Sequence, residues 1–272
     1  MKDDLGNRMK ENYENRTRYL LPRRTYTIIR LDGKAFHTYT RGLTKPFDKG
    51  LFEDMDSAII AMMPQIQGAV FAYTQSDEIS ILLTDFAQPT TSSWFDGNLQ
   101  KMCSVSASII TAEFNKKRIS RSMCYSEPDV GMFAGGCGFN NTMAYFDARV
   151  FTIPDRTEVM NYFLWRNQDC SRNSVSMVAQ SKFSHNQLQR KSTTDLHEML
   201  HDIGVNWATD YTDGEKNGRL IVKEEYDSTE GYATFGPGSI TFNVKRNRWV
   251  SNGAWKFTEN KDRLLEMIPK YE

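Results

Sequence analysis

Two short acidic stretches hold the side chains most suited to chemistry in this chain of 272 residues. Asp32-Gly33 follows the apolar, β-branched run Thr25–Leu31, and Ser76-Asp77-Glu78 sits in a tight turn between two apolar runs, Ala69–Thr74 and Ile79–Leu83. Gly33 removes a side chain next to Asp32, so backbone can approach a ligand or cation closely there. A lone Asp at a strand end ordinarily caps a turn or a helix. Two carboxylates at one spot repel each other unless a cation joins them. Magnesium takes oxygen ligands, keeps several waters and favours one or two carboxylates together with substrate phosphates. Two such ions activate an attacking hydroxyl and stabilise a leaving pyrophosphate. Asp32 and Asp77 are therefore the candidate catalytic and metal-binding groups, with Glu78 beside them to assist. Lys34, Ala35, Phe36 and His37 follow the first aspartate, and backbone N–H groups in such a turn can cradle phosphates. Arg30, Lys45 and Lys101 are candidate phosphate partners.

This chemistry requires elements that bring positions 32 and 77 together. Thr25–Leu31 reads as a buried strand. A helix is expected from about Asp48 to Met63, with Leu51, Met55, Ile59 and Met62 at helical spacing and Pro64 ending it. Ala69–Thr74 and Ile79–Leu83 form the strands of a hairpin. A right-handed crossover would return the second strand beside the first, so that both carboxylates meet at one edge of the sheet. Phe95 to about Lys117 reads as a long helix, and Phe139–Val150 as a strand interrupted by Asp147 and Arg149. Pro154 opens a helical region through Trp165 to about Lys182, and a further helix runs from Asp195 to Ile203 and stops at Gly204. The order β-α-β-β-α-β is that of a ferredoxin-like palm, an α+β antiparallel sheet with helices on one face. Residues 1–150 would form this palm, and 151–272 a helical and strand-rich extension packed on it with no linker between.

Composition limits the alternatives. Hydrophobic residues make up 39%, enough for a packed core, and 34 basic residues balance 34 acidic ones. That balance argues against a protein coated in nucleic acid but allows local basic faces. Three clusters qualify as RNA contacts: Arg16, Arg18 and Arg23; Lys116 and Lys117; Lys182 and Arg190. No apolar stretch reaches the length of a membrane span, and the charged start has no secretory apolar region, so a cytoplasmic protein is expected. Cys103, Cys124, Cys137 and Cys170 include no CxxC pair, which points to reduced thiols rather than a disulfide scaffold or a zinc site.

Other readings compete. His197-Glu198-Met199-Leu200-His201 matches the HExxH pattern of zinc peptidases. The same helix also reads as amphipathic, with Leu196, Met199, Leu200 and Ile203 as its apolar stripe and Asp195 with Glu198 as a capping box. The β-α-β-β-α-β order also suits a non-catalytic RNA-binding module that stacks bases on sheet aromatics, for which Phe71 and Tyr73 alternate correctly. A nucleotide cyclase-like enzyme would use the same acidic pair without RNA.

Taken together, RLDGKAFH, KPFD, YTQSDEISILL and WRNQDCSRNS resemble the tRNA-His guanylyltransferase-like family of 3′-to-5′ polymerases, as do GNRMKENYE near the start and RNRWVSN near the end. The resemblance implies a polymerase-type palm in which Asp32 and Asp77 hold two Mg²⁺ ions, with the Gly33 carbonyl as a further ligand. It implies that the Gly33–His37 loop binds a nucleoside triphosphate, that Arg30 and Lys101 contact phosphates, and that Lys45, Ser76 and Asn173 lie near a nucleotide used for 5′ activation. GTP and ATP are the implied nucleotides. The implied partner is a tRNA, either tRNA-His or a 5′-truncated one, and the implied assembly is a homodimer or homotetramer, for which Tyr226–Phe235 is a candidate interface. The incoming 3′-hydroxyl would attack the 5′ phosphate of the tRNA, and pyrophosphate or AMP would leave. Ser171-Arg172-Asn173-Ser174 resembles the bacterial, archaeal and phage-type branch, which is associated with templated 5′ repair.

Overall fold

The computed structural model describes residues 3–124, 142–229, 233–234, 239–240 and 243–271. Its first half runs α1 (Asp4–Asn12), β1 (Tyr26–Gly33), α2 (Phe36–Tyr39), α3 (Lys49–Met62), β2 (Ala69–Gln75), β3 (Glu78–Leu83), α4 (Leu99–Cys124) and β4 (Phe146–Ile153). The second half continues with α5 (Arg156–Lys182), α6 (His185–Leu188), α7 (Thr193–Asp202), α8 (Trp207–Asp210), α9 (Asp213–Asn217), β5 (Arg219–Thr229), β6 (Ala233–Thr234), β7 (Ser239–Ile240), β8 (Asn243–Gly253) and α10 (Lys261–Met267).

Six strands form one antiparallel sheet in the order β4-β1-β3-β2-β5-β8. Its first four strands have the order expected of the ferredoxin-like palm. One detail differs from the expected arrangement: β3, not β2, lies beside β1, with Leu31 opposite Ile79 and Thr27 opposite Leu83. The α3 crossover returns β2 one place further out, and the tight hairpin then folds β3 into the gap. The expected outcome survives because β3 carries the hairpin tip back alongside the end of β1.

Strand alternation assigns each side chain to a face. Ile29 and Leu31 of β1, Ala72 of β2 and Ile79, Ile81 and Leu83 of β3 pack against α3 and α4 through Met55, Ile59, Met62, Ile110 and Phe114. The opposite face carries Tyr26, Ile28, Phe71, Tyr73 and Leu82. It is not open. Val159, Phe163 and Leu164 of α5 and Leu264 of α10 cover it. The palm's own helices, α3 and α4, thus keep to one face as expected, and the extension after residue 150 packs on the other through α5 and α10. A third, smaller core joins Val175, Val178 and Ala179 of α5 to Leu196 and Leu200 of α7.

Long-range bonds set the position of α5. The buried Asn167 donates from Nδ2 to the Asn217 and Trp255 carbonyls, and its Oδ1 accepts from the Phe257 N–H. Ser80 of β3 and Tyr162 of α5 share a hydrogen bond at 2.8 Å beneath the helix. Element ends shift from expectation by a few residues. Helix α4 begins at Leu99, after Phe95 and Asp96 adopt left-handed backbone at φ 50° and 53°. Strand β4 begins at Phe146, and part of the stretch expected for it, 139–141, lies outside the described residues.

Candidate active site

The second face of β1 changes character along the strand. Tyr26 and Ile28 are core, but the next two side chains on that face are Arg30 and Asp32. The neighbouring strands change in step: Ser80 lies opposite Arg30, and Arg149 and Asp147 of β4 lie opposite Arg30 and Asp32. A polar patch therefore forms where β1 ends.

Asp77 reaches this patch from the two-residue β2–β3 loop, in which Ser76 has left-handed backbone at φ 50°. A side chain at position 33 would bring its Cβ within 2.9 Å of the Asp77 Cβ and would collide with the Phe36 ring. Glycine at 33 is what lets the two aspartate-bearing segments meet. Burial raises the Asp77 carboxyl to a pKa of about 6, with the nearby Asp32 charge adding to the effect. The Asp32 carboxyl is raised as well, by burial first and then by Glu78, against the opposing pull of Arg30. Two carboxyls that resist ionisation side by side, supplying only oxygen donors, suit a hard divalent cation with substrate phosphates completing its shell.

Glu78, expected to assist the aspartates, gives both its oxygens to guanidinium groups instead. Arg166 of α5 donates from Nε to Oε1 at 2.6 Å and from Nη2 to Oε2 at 2.8 Å, and Arg30 donates from Nη2 to Oε2 at 2.6 Å. Arg166 also pairs with Asp169 at 2.9 Å, and Asp169 with Arg172 at 3.1 Å. Charges thus alternate from β1 across to the outer side of α5. Arg166, Asp169 and Asp147 were not identified from sequence as site residues. The charged positions Asp147 and Arg149 in an otherwise apolar strand were the signal for that end of the site, and WRNQDC held the others without revealing their partners.

Beside the two aspartates opens a cavity of about 450 Å³, in the size range of small-ligand sites. Arg30, Asp32, Ser76, Asp77, Glu78 and Asn173 line it, so six of the expected residues converge. Its far walls come from Phe47, Phe52, Met177, Gln180 and Arg219. The Arg219 guanidinium is fixed by an ion pair to Asp56 at 2.6 Å and lies 4.2 Å over the Phe52 ring.

Other expected residues fall elsewhere. Phe36 is a core residue, packed among Tyr39, Phe114 and Phe146. Ala35 holds left-handed backbone at φ 52° and opens α2, and the Lys34 N–H donates to the Tyr145 carbonyl at 2.8 Å. Among the described residues, the N–H groups of Ala35, Phe36 and His37 donate to no backbone carbonyl outside their own helix. Lys45 is exposed on the loop before α3, and only its neighbour Phe47 lines the cavity. Lys101 does not join the site. It sits in the first turn of α4, where its neighbour Met102 packs with Leu21, Thr27 and Leu83 at the opposite end of β1. Along a strand, Thr27 and Asp32 are about 16 Å apart.

The basic clusters divide similarly. Arg23 is locked in place, donating to Asp85 at 2.9 Å and to the Thr91 carbonyl at 2.7 Å. Arg16 and Arg18 are exposed. Lys116 is exposed with Glu113 at 3.8 Å, Lys117 is half-buried, and the adjacent Arg118 and Arg121 are held by Asp54. Lys182 and Arg190 are exposed, Lys182 two residues beyond the cavity residue Gln180.

The competing readings find little support in these side chains. His197 stacks edge-on against Trp207 at 5.5 Å, and no group of three or more His, Cys, Asp or Glu suited to a metal exists among the described residues. The cap of α7 is Ser192 with Asp195, one turn ahead of the expected Asp195–Glu198 box, and Gly204 follows at φ 77°. Phe71 and Tyr73 are core, so they offer no base-stacking surface. Cys103 and Cys170 are free, while Cys137 and the candidate interface residue Phe235 lie outside the described residues. No described helix is long and apolar enough to cross a membrane.

Comparison with known proteins gives one consistent family. Residues 6–154 match the family described as tRNAHis guanylyltransferase. A solved bacterial tRNA(His) guanylyltransferase (Thg1)-like protein in complex with ATP is 36% identical, with 98% of this chain and 99% of that one covered and a TM-score of 0.80. The corresponding complex with GTP gives a TM-score of 0.75 at the same identity and coverage. The tRNA(His) guanylyltransferase of Debaryomyces hansenii is 28% identical over 227 residues, spanning 79% of this chain and 78% of that protein.

Proposed function

The chain belongs to the tRNAHis guanylyltransferase family, and on that premise we propose that Asp32 and Asp77 hold two Mg²⁺ ions at which a nucleotide is joined to the 5′ end of a tRNA. The protein is a nucleotidyltransferase of this family, and divalent metal use goes with the family. The observation that carries the proposal is the meeting of Asp32 and Asp77 across Gly33 at the mouth of the cavity. When bound, the two cations would activate the attacking hydroxyl and neutralise charge on the leaving phosphates.

The residues of the chain supply position and charge. A nucleoside triphosphate, GTP or ATP, occupies the cavity, with Ser76 and Asn173 in its wall and Arg30 beside its phosphates. The 3′-hydroxyl oxygen of the incoming nucleotide forms a bond to the α-phosphorus at the tRNA 5′ end. The bond from that phosphorus to its leaving oxygen breaks, releasing pyrophosphate from a triphosphate end or AMP from an adenylylated one. Glu78 orients Arg30 and Arg166 rather than carrying the proton, because its two oxygens are already taken. A homodimer or homotetramer is part of the same reading, supported by Leu5, Met9 and Tyr13, exposed along one side of the N-terminal segment.

The test is nucleotide incorporation with Mg²⁺ on full-length tRNA-His and on a tRNA lacking its first 5′ nucleotide, each with a 5′ triphosphate or monophosphate. Addition by the wild type, and loss of at least 10³-fold in Asp32→Ala and Asp77→Ala with tRNA binding retained, is expected. Preference for the truncated tRNA, with the added base dictated by the opposite strand, identifies templated repair. Preference for full-length tRNA-His identifies G addition. Activity that survives both substitutions rules out the metal assignment.

A further inference from the structure

We propose that Trp165, with the guanidinium groups beside it, is a stacking platform for the terminal base pair of the RNA, on the β1 and β4 side of the nucleotide cavity. The proposal rests on the 5′-addition reaction above and assigns a position to its RNA substrate.

Trp165 is a large ring left 48% exposed beside an active site. It is held there firmly. The Arg166 guanidinium lies 4.3 Å from the ring centroid and that of Arg30 lies 6.0 Å away, while the Tyr162 ring meets it edge-on at 6.0 Å. Both arginines are themselves pinned by Glu78. The indole is therefore pre-oriented by the same ion-pair cluster that borders Asp32, so an arriving base would cost little side-chain ordering.

The direction of the platform follows from the sheet order. The cavity opens toward β2 and β5, through Gln75, Ser76, Gly218 and Arg219. Trp165 lies toward β1 and β4, over Arg30 and next to Tyr162, which contacts Phe151 of β4. Arg30 and Arg166 lie between the two, lining the cavity and flanking the indole. In phosphoryl transfer the attacking and leaving oxygens lie roughly in line on opposite sides of phosphorus. That axis is taken by the attacking nucleotide and the leaving pyrophosphate or AMP, so the polynucleotide, joined to the phosphorus through O5′, leaves it sideways, and with the cavity filled by nucleotide the β1 and β4 side is the one left for it. The features there suit it: an exposed indole for a base and the exposed Arg149, on the same sheet face as Arg30 and Asp32, for a phosphate. Base stacking on an aromatic ring tolerates any sequence, as a terminal pair of varying identity would require.

The probe is an acceptor-stem RNA hairpin with a 5′ triphosphate, either intact or abasic at its first 5′ nucleotide. Binding, kcat and the KM values for hairpin and for GTP are measured for the wild type, Trp165→Phe and Trp165→Leu. Trp165→Leu should weaken binding of the intact hairpin and raise its KM by roughly 5- to 100-fold, with the GTP KM unchanged, and Trp165→Phe should retain most of the affinity. The abasic hairpin should bind wild type and Trp165→Leu equally, because the ring then has no base to stack. A Leu penalty that persists with the abasic hairpin, a shift in the GTP KM instead, or no change at all overturns the platform. If Trp165→Leu fails to fold, indole emission decides: the fraction of emission quenched by the intact hairpin should be clearly larger in the wild type than in Trp165→Phe, whose other four tryptophans remain, and equal quenching in the two refutes the proposal. A wild type that binds the hairpin but extends none of the RNAs overturns the 5′-addition reading instead, while the binding measurements still decide on the platform.

Discussion

Asp77 shows how a single residue can weaken a fold in order to serve a site. Its pKa is pushed up to about 6 by burial, with Asp32 adding repulsion. An unfolded Asp ionises near its ordinary value of 3.8, so the native state binds this proton more tightly than the unfolded chain does. The resulting penalty is absent below the unfolded value, grows as pH rises, and is complete above about 6. In chelator at pH 7, Asp77→Asn should therefore be more stable than the wild type by on the order of 2 kcal/mol. The difference should shrink as pH falls through 6, as read from urea midpoints at pH 7 and pH 5. Equal stability at both pH values would mean that burial does not penalise the Asp77 carboxylate. Magnesium should reverse the order by stabilising the wild type alone. Asp32, Gly33 and Asp77 were legible in the sequence because each is marked locally, by a strand end, a missing side chain or a tight turn. Glu78 was not. Its partner Arg166 is 88 positions away, and no local pattern announces that pairing.

Elements were legible where periodicity alone decides them. The helical spacing of Leu51, Met55, Ile59 and Met62 located α3 to within a residue or two at each end. The start of α4 was not legible, because Phe95 and Asp96 are held out of the helix by tertiary bonds at their side of the fold, where Leu21 donates to the Gly97 carbonyl at 2.9 Å. Side-chain clamps between elements were equally hidden. Asp54 of α3, almost fully buried, accepts from Arg118 at 2.9 Å and from Arg121 at 2.8 Å, joining α3 to α4. The two arginines that follow the basic pair Lys116 and Lys117 are thus fasteners. Asp54→Ala would leave the buried Arg118 charge unpaired, and a loss of about 3–5 kcal/mol in unfolding free energy is expected. Nucleotide addition per folded molecule should stay near wild type, because the clamp lies on the α3–α4 side of the sheet, away from Asp32. A loss of stability below about 1 kcal/mol would show that solvent, not Asp54, balances these arginines.

The molecule as a whole places its working groups at strand ends and uses its second half to cover and extend the sheet. The palm order followed from the pattern of apolar runs, whereas the second covered face did not, since α5 and α10 are brought there by bonds such as those of Asn167 to residues 50 to 90 positions away. The β5–β8 ladder pairs eleven residues on each strand, yet only Arg219, Leu220 and Ile221 of β5 are registered against β2. Beyond them, Lys223, Glu224, Glu225 and Asp227 of β5 and Lys245, Asn247 and Arg248 of β8 are paired in the ladder and exposed. A ribbon of two strands has little stability of its own. Amide hydrogens should therefore exchange with deuterium along a gradient on this one ladder: slowest at Leu220 and Ile221, where a third strand guards them, and much faster from Glu224 outward. The sheet that anchors the aspartates can thus remain closed while its outer arm opens and recloses independently.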